Sequence, residues 1–468
     1  MDQLILLDKP DQPTRPQPAA RRKPVAKRRV AVPENGVLKL LIWLLAVSFF
    51  IPEDIHLLVG SLKITASFGV SMFLFPAIII WGRIRWVWPD YVVGLLYAVY
   101  FICSYRWAPM AEAVETQGRL ILGGATPYLV GRYVMQNPAR MKRFLTLVVT
   151  TIAVLAVPAV FESFARFNIH STLWGYEYRP HKDLRMGLTR AHGWTSHAIM
   201  FGLVNAIFVP LVAVAWLEKR DSIVGGWTLA KICMLMMGAF LSLSTGAWMP
   251  AVVSLFMVAW DYRAPLRTAI RWPLTFFVAI SGYLLLEYAS GRPLLRIAMM
   301  KLHISSPEAW FYRWRLYERV YSVMPGNWWL GYGETIPEEF QGLGWSIDNN
   351  FLVVLLKYGR IGLIVWVLVA LSVFFYGGRA VWARHDTTIV RIARALGFSV
   401  IAVCLTQFSV ALFSLASVLY WLTIGLAVGA ALNCRTEAAA LDKAKAKSPR
   451  RRPAPARRSP APTAATPA

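Results

Sequence analysis

Long apolar runs separated by short polar connections dominate the chain, near 37–51, 64–82, 90–106, 118–135, 143–161, 197–216, 227–244, 247–260, 271–289, 358–377, 393–413 and 415–432. Inside lipid every backbone N–H and C=O must be paired within the protein, which a helix of about 20 apolar residues achieves by itself. The pattern therefore predicts an all-α polytopic membrane protein of about twelve transmembrane helices over residues 37–432. The first and eighth runs are short members of the set.

Composition agrees with that reading. Of 468 residues, 57% are apolar and 16% charged, with a mean hydropathy of +0.47, which excludes an ordinary soluble enzyme. The net charge of +25 suggests nucleic acid only until the charges are located, since nearly a third of the charged residues lie in the two tails. Nucleic acid is not an expected partner. Cys103, Cys233 and Cys404 lie in apolar runs, Cys434 follows the last one, and none forms a C-x-x-C pair, so neither a disulfide framework nor a zinc site is indicated.

The short loops set an orientation. Arg83 and Arg85, then Arg140, Lys142 and Arg143, then Lys219 and Arg220, then Arg263, Arg267 and Arg271, and finally Arg379, Arg384 and Arg391 alternate onto one side. The positive-inside rule makes that side cytoplasmic. Both basic tails, 1–36 and 433–468, fall on it, as an even number of helices requires. The first apolar run follows Arg21, Arg22, Lys23, Lys27, Arg28 and Arg29 too late for a cleaved signal and reads as a retained anchor. Proline and charge predict that both tails are disordered. They either attract anionic lipid headgroups or an acidic partner, or simply reinforce topology.

Two long segments, about 162–196 and about 290–357, face the other way and carry more charge than a connection needs. The second contains Arg292, Arg296, Lys301, Arg313, Arg315 and Arg319. Arginines placed against the positive-inside bias point to a task on the outer face. Arginine offers a planar, permanently charged fork that matches phosphate oxygens. At helical spacing Arg315 and Arg319 share a face and Arg313 does not. A salt bridge to Glu308 or Glu318, or a lipid headgroup, is the other reading of the same residues.

Chemistry is concentrated in a few stretches. Asp348-Asn349-Asn350 opens the tenth run, which continues through Lys357, Gly359, Arg360 and Gly362 as D-N-x9-G-x-x-G. Asp348 at a helix start is either a cap favoured by the dipole or a carboxylate base. The other outer segment holds Arg185 and then Arg190-Ala191-His192-Gly193-Trp194-Thr195-Ser196-His197. Its histidine pair lacks the acidic or cysteine neighbours of a metal site, and no D-x-D pair occurs in the chain. No metal and no cofactor is expected. Outer tryptophans and tyrosines, Trp174, Tyr176, Tyr178, Trp194, Trp310, Trp314, Trp328, Trp329 and Trp345, suit sugar stacking and suit a membrane interface equally.

Taken together, R-x-H-G-W-T-S-H at 190–197, Leu-Ser-Leu-Ser-Thr-Gly at 241–246, the arginine segment 313–319 followed by G-Y-G, and D-N-x9-G-x-x-G at 348–362 resemble the O-antigen ligase and polymerase superfamily. The resemblance spans roughly 180–380. It implies a GT-C-like membrane glycosyltransferase that acts in the periplasm, at the bacterial inner membrane, on a glycan linked to undecaprenyl diphosphate. In the ligase branch the last motif begins with a histidine proposed as general base; here that position is Asp348, which favours the polymerase branch making O-antigen or exopolysaccharide. The resemblance assigns Arg190 and Arg313 to the developing diphosphate charge and Asp348 to the acceptor proton. Arg185, His192, Arg315, Arg319, Asn349, Lys357 and Arg360 follow as substrate-binding candidates. Membrane lipids and other polysaccharide-assembly proteins are the further partners implied.

Three alternatives remain open on the residues alone. A ligase would pass the glycan to lipid A core. A lipid-linked glycan flippase or other transporter would place ionisable residues deep within several helices and show a repeat between halves. A scaffold anchored through its tails would leave the outer arginines without a task.

Overall fold

The computed structural model describes residues 35–59, 62–177, 184–219, 223–263, 268–291, 307–334, 347–381 and 387–447. In chain order the helices are α1 (Gly36–Ser48), α2 (Ala66–Trp81), α3 (Trp88–Tyr105), α4 (Met110–Leu120), α5 (Thr126–Val134), α6 (Pro138–Ala156), α7 (Ala159–Ala165) and α8 (Ile169–Trp174). They continue with α9 (Ala198–Ala206), α10 (Val209–Leu217), α11 (Thr228–Leu241), α12 (Thr245–Arg263), α13 (Thr268–Ser290), α14 (Pro307–Val323), α15 (Asn350–Val381), α16 (Thr388–Thr406) and α17 (Ser414–Lys447). All twelve apolar runs are mainly helical. Six helical stretches are long and apolar enough to cross a membrane: Pro138–Ala165, Ala198–Leu217, Ile270–Ser290, Asn350–Gly377, Thr388–Thr406 and Ser414–Thr436. Gly36–Ser48, Ala66–Trp81 and Thr228–Leu241 are apolar but shorter.

Three local features depart from the expected pattern. Between α1 and α2 lies an antiparallel hairpin, β1 (His56–Val59) and β2 (Leu62–Thr65), with His56 opposite Thr65. The helical expectation holds for the described residues apart from this short ribbon: Pro52 follows the first helix, and two four-residue segments pair their backbone groups instead. The run at 118–135 is not one regular helix but α4, a π-helical turn over Ile121–Ala125, and α5. Pro127 has no N–H for the carbonyl four residues back, and the Thr126 hydroxyl donates to the Ile121 carbonyl at 3.1 Å. The last helix runs on through Lys447, past the tail boundary expected at 433, because Glu437-Ala-Ala-Ala-Leu-Asp-Lys-Ala-Lys-Ala-Lys consists mostly of strong helix formers. The expected disordered tails at 1–34 and 448–468 lie outside the described residues.

At the centre α17 packs against α5 through glycine. A Cβ on Gly131 would stand 2.5 Å from the Leu422 carbonyl, and one on Gly425 would run into the Tyr128 backbone, so these glycines let the two helix backbones approach as small residues do in membrane bundles. The α9–α10 stretch is buried almost entirely. The most apolar stretch of α13 is the opposite case, with none of it buried in protein and Phe277, Leu285 and Leu286 exposed. Hydrocarbon is the solvent such a surface suits.

Ion pairs tie helix ends together at one end of the bundle. Asp90 and Arg132 are both buried, 2.9 Å apart, and Arg132 also donates to the Arg85 carbonyl at 2.7 Å. Asp261 meets Arg271 at 3.3 Å and Arg394 at 2.8 Å, while Glu218 pairs with Arg391. These contacts join the helix ends whose loop charges alternate onto one side in the sequence.

A break in α15 shapes the other end. Gly359 sits at φ 64°, ψ −166° within the helix, and a Cβ there would strike the Trp329 backbone. The Trp328–Gly333 segment lies in the break and satisfies it from both sides. Tyr332 N–H donates to Leu356 O at 2.9 Å and Gly333 N–H to Lys357 O at 2.8 Å, while Arg360 N–H reaches Trp328 O at 2.7 Å and Ile361 N–H reaches Trp329 O at 3.2 Å. Irregular backbone survives in a membrane protein only where protein pairs it in this way. Leu316, Val320, Met324, Leu352, Leu355 and Leu356 form a second, small core that binds α14 to the first leg of α15. The apolar helical stretch begins at Asn350 and runs across the break, ahead of the 358 start expected of the span.

Candidate functional site

The connection between α16 and α17, residues 407–413, is the strut on which the sequence motifs meet. On one side Asn350 Nδ2 donates to Gln407 Oε1 at 2.9 Å and the Leu412 N–H donates to Asn350 Oδ1 at 3.3 Å. Asn349 Nδ2 donates to Phe408 O at 2.8 Å and is 2.7 Å from the Tyr317 hydroxyl. On the other side Gly246 packs so tightly on Val410 that a Cβ would stand 2.5 Å from its methyl. His197 lies edge-on to Phe413 with ring centroids 6.0 Å apart. The segments 190–197, 241–246 and 348–350, distant in the chain, thus gather around one connection.

Asp348 is half-buried immediately before this helix. The cap expected of it belongs to its neighbour: Asn349 Oδ1 accepts the Leu352 N–H at 3.0 Å, and Asn349 O accepts the first helical bond from Val353 at 3.0 Å. Asn349, named as a substrate ligand, therefore has three structural bonds. A side chain in the capping position accepts from the third helical residue, which the residue before it does not reach.

The arginine and histidine loop is built between α7, α8 and the α11–α12 turn. Arg185 Nη1 donates to Leu243 O at 2.9 Å and Arg190 Nε to Ser242 O at 3.3 Å, while Ala191 N–H reaches Leu241 O at 3.0 Å. Leu243 takes φ 47°, in the left-handed region, in the turn that presents these carbonyls. Here the Leu-Ser-Leu-Ser run and the R-x-H-G-W-T-S-H run meet directly. Trp194 is fully buried and donates to Phe49 O at 3.0 Å, so it anchors the loop rather than offering a face to sugar. Beneath the loop the carboxylate of Glu162, 1% exposed, accepts the N–H of His192 and of Gly193, each at 2.9 Å. The His192 Nε2 is 3.5 Å from Glu162 Oε1. Asn168 Nδ2 donates to Gly193 O at 2.9 Å.

Burial pushes the His197 imidazole down to about 4, and the nearby Arg190, His192 and Arg185 push in the same direction. Desolvation is the larger cause and the neighbouring cations the smaller one. Next to it Glu53 accepts from Ser196 N–H at 3.2 Å and Ser196 Oγ at 2.8 Å and from the Leu415 N–H. Burial raises its carboxyl above the ordinary range while those donors oppose the rise.

The remaining candidates are dispersed. Lys357 Nζ pairs with Glu334 at 2.6 Å, and the Tyr358 hydroxyl donates to the same carboxylate at 3.1 Å. The Arg360 guanidinium stacks 4.7 Å over the Trp328 ring and 5.7 Å from that of Trp329. Arg315 and Arg319 are exposed on α14, opposite buried Leu316 and Val320, as the shared face predicts. The side chains of Arg313, Trp310 and Trp314 lie outside the described residues. Sequence reasoning missed Glu162, Glu53, Asn168, Glu334 and Gln407. A carboxylate in the last turn of an apolar run, as in Val160-Phe161-Glu162-Ser163, is the signal that would have found Glu162. No known protein family matches the chain, and a search of curated proteins finds no significant match.

Proposed function

We propose that the chain is a polymerase of undecaprenyl-diphosphate-linked oligosaccharide repeat units, an inverting and metal-independent glycosyltransferase of about twelve spans and GT-C-like fold. The proposal places both termini in the cytoplasm of a bacterial inner membrane and the site at the periplasmic face. The gathering of Arg185, Arg190, His192 and His197 in one loop, which Arg185 and Arg190 tie to the carbonyls of the α11–α12 turn, carries this reading. A lipid diphosphate is a leaving group that two neighbouring guanidinium groups suit.

In the proposed step an acceptor sugar hydroxyl attacks the anomeric carbon of the lipid-linked glycan. The new C–O bond forms as the bond from that carbon to the phosphate oxygen breaks, the diphosphate leaves with the bonding pair, and the hydroxyl proton passes to a base. Arg190, with Arg185 beside it, meets the charge growing on the diphosphate, and Arg313 is the second cation proposed. Cations already oriented in a water-poor site stabilise such charge without reorganising, and loss of one commonly costs on the order of 100-fold or more in rate. Asp348 is the proposed base, since it stands beside the strut shared with the arginine loop and Asn349 already provides the cap.

The test is the size profile of surface and secreted polysaccharide in a deletion strain carrying wild type, Arg190→Ala or Asp348→Asn. Single repeat units restored to long chains by wild type alone support a polymerase. Long chains stranded on undecaprenyl diphosphate replace it with a ligase. An unchanged profile in the deletion strain rejects glycan transfer altogether.

A further inference from the structure

We infer that the cavity between the end of α10 and the start of α11 binds an anionic glycerophospholipid, with Lys219 meeting its phosphate and the exposed side of α11 carrying an acyl chain. The inference asks only that the chain lie in a membrane and is independent of the glycan chemistry proposed above.

The cavity has a volume of about 610 Å³, the size of a small-ligand pocket. Its walls include Trp216 and Leu217 from the last turn of α10, Lys219 just after it, and Trp227 and Leu229 at the start of α11. Lys219 is exposed, and among the described residues no carboxylate pairs with its ammonium. The acid beside it is already engaged: Glu218 pairs with Arg391 and accepts the Tyr262 hydroxyl at 2.6 Å. The cavity therefore offers a cation without its counter-ion. The backbone adds to that charge. Trp227 precedes α11 at φ 54° and provides no side-chain cap, and the first helical bond runs from Lys231 N–H to Trp227 O at 2.9 Å. The amides of Leu229 and Ala230, both on the cavity wall, receive no acceptor from the helix, and partial positive charge there favours an anion.

Apolar surface next to that charge points to a lipid. Trp227 is 82% exposed and Trp216 47%, and a ring with one polar edge suits the level of the headgroups. From the cavity an apolar track runs along α11: Leu229, Cys233 and Phe240 are exposed and fall on one side of the helix by their spacing. Leu235, Gly238 and Ala239 are buried. A phosphate with an acyl chain uses both the cation and the track, whereas a soluble phosphate compound leaves the track empty. The cavity wall is also held in place. Gly225, at φ 80°, packs on α6 so closely that a Cβ would stand 2.3 Å from the Thr146 methyl. Lys231, buried, donates to Val224 O at 2.5 Å and so fastens the connection rather than serving the cavity. A wall fixed in this way binds without first being ordered.

The experiment is native mass spectrometry of the full chain in detergent with equal amounts of phosphatidylglycerol and phosphatidylcholine. The wild type is expected to retain phosphatidylglycerol about tenfold more than phosphatidylcholine, and Lys219→Gln to lose most of that preference. Leu229→Asp sets a carboxylate on the cavity wall in the first turn of α11, where the helix dipole favours it, so it should fold and also lose the preference. Lys39→Gln removes an exposed lysine at the start of α1, outside the cavity, and should leave the preference intact. Equal retention of the two lipids by the wild type, or an unchanged preference in Lys219→Gln, overturns the inference. An equal loss in Lys39→Gln overturns it as well, because the attraction would then belong to the surface charge as a whole. Displacement of the lipid by excess inorganic phosphate assigns the cavity to a soluble phosphate compound and rejects the lipid.

Discussion

Asn350 and Gln407 are bonded to each other through both backbone and side chain: Asn350 N–H donates to Gln407 O at 2.9 Å and Asn350 Nδ2 to Gln407 Oε1 at 2.9 Å. Trp366 Nε1 donates to the same Oε1 at 3.0 Å, so the Gln407 amide cannot turn over without losing a second bond. Asn350→Ala leaves the backbone bond and removes the side-chain ones, at a cost of about 1–3 kcal/mol for the buried groups left unpaired. Asn350→Asp should cost more, because a carboxylate oxygen then faces Gln407 Oε1. Thermal unfolding in detergent micelles ranks the three proteins, and Asp equal to or more stable than Ala would refute the arrangement.

A second relationship concerns stability at the opposite end. Asp90 accepts from Arg132 Nε at 2.9 Å, Arg132 Nη2 at 3.1 Å, the Tyr128 hydroxyl at 2.5 Å and Val87 N–H at 2.6 Å. Asp90→Asn strands a buried guanidinium, which typically costs 3–5 kcal/mol, about what breaking a buried pair costs elsewhere. Replacing both residues at once, as Asp90→Leu with Arg132→Met, should be milder than Asp90→Asn. The yield of monodisperse protein on size-exclusion chromatography reads the difference.

Gly359 has no substitute at its break. Its φ of 64° and the Trp329 backbone in the place of a Cβ predict that Gly359→Ala either straightens the helix, expelling Trp328–Gly333, or fails to fold. Gly397→Ala, at a helical position with open space around it, should leave protein level and thermal midpoint within about 0.5 kcal/mol of wild type. Limited proteolysis near residues 324–334 distinguishes a released segment from an intact one.

His197 makes stability dependent on pH. Its Nδ1 accepts the Ile199 N–H at 3.2 Å, capping α9, and therefore must be bare. Folding lowers the imidazole to about 4 from an ordinary value of about 6.5. Above about pH 6.5 both folded and unfolded chains hold it neutral, and its contribution to stability is complete. As the pH falls from about 6.5 to about 4 the unfolded chain takes up the proton first, and that contribution is lost. Thermal midpoints measured over this window should fall for the wild type and fall less steeply for His197→Asn, which keeps an acceptor and cannot titrate.

Much of the architecture was legible locally. Apolar spacing identifies the helical segments because a helix buries or exposes its side chains with a period its own sequence carries. The hairpin at 56–65 and the π turn before Thr126 were hidden inside or beside apolar runs, where hydropathy does not distinguish helix from strand or from a widened turn. Likewise Arg315 and Arg319 could be placed on one face of α14 from their spacing, whereas nothing in Lys357 foretold its pairing with Glu334, whose carboxylate arrives from a different segment.

The sequence by itself determined a helical membrane chain, the side to which its loop charges alternate, and the stretches rich in arginine, histidine and asparagine. The tertiary structure alone decided which of those stretches meet, that Asn349 rather than Asp348 closes the helix start, and that Glu162 lies under His192, 30 residues away in the chain. The reason is physical. Periodicity and capping are short-range properties written into neighbouring residues, while a carboxylate that accepts two backbone N–H groups from a distant loop exists only once packing has brought the two segments together.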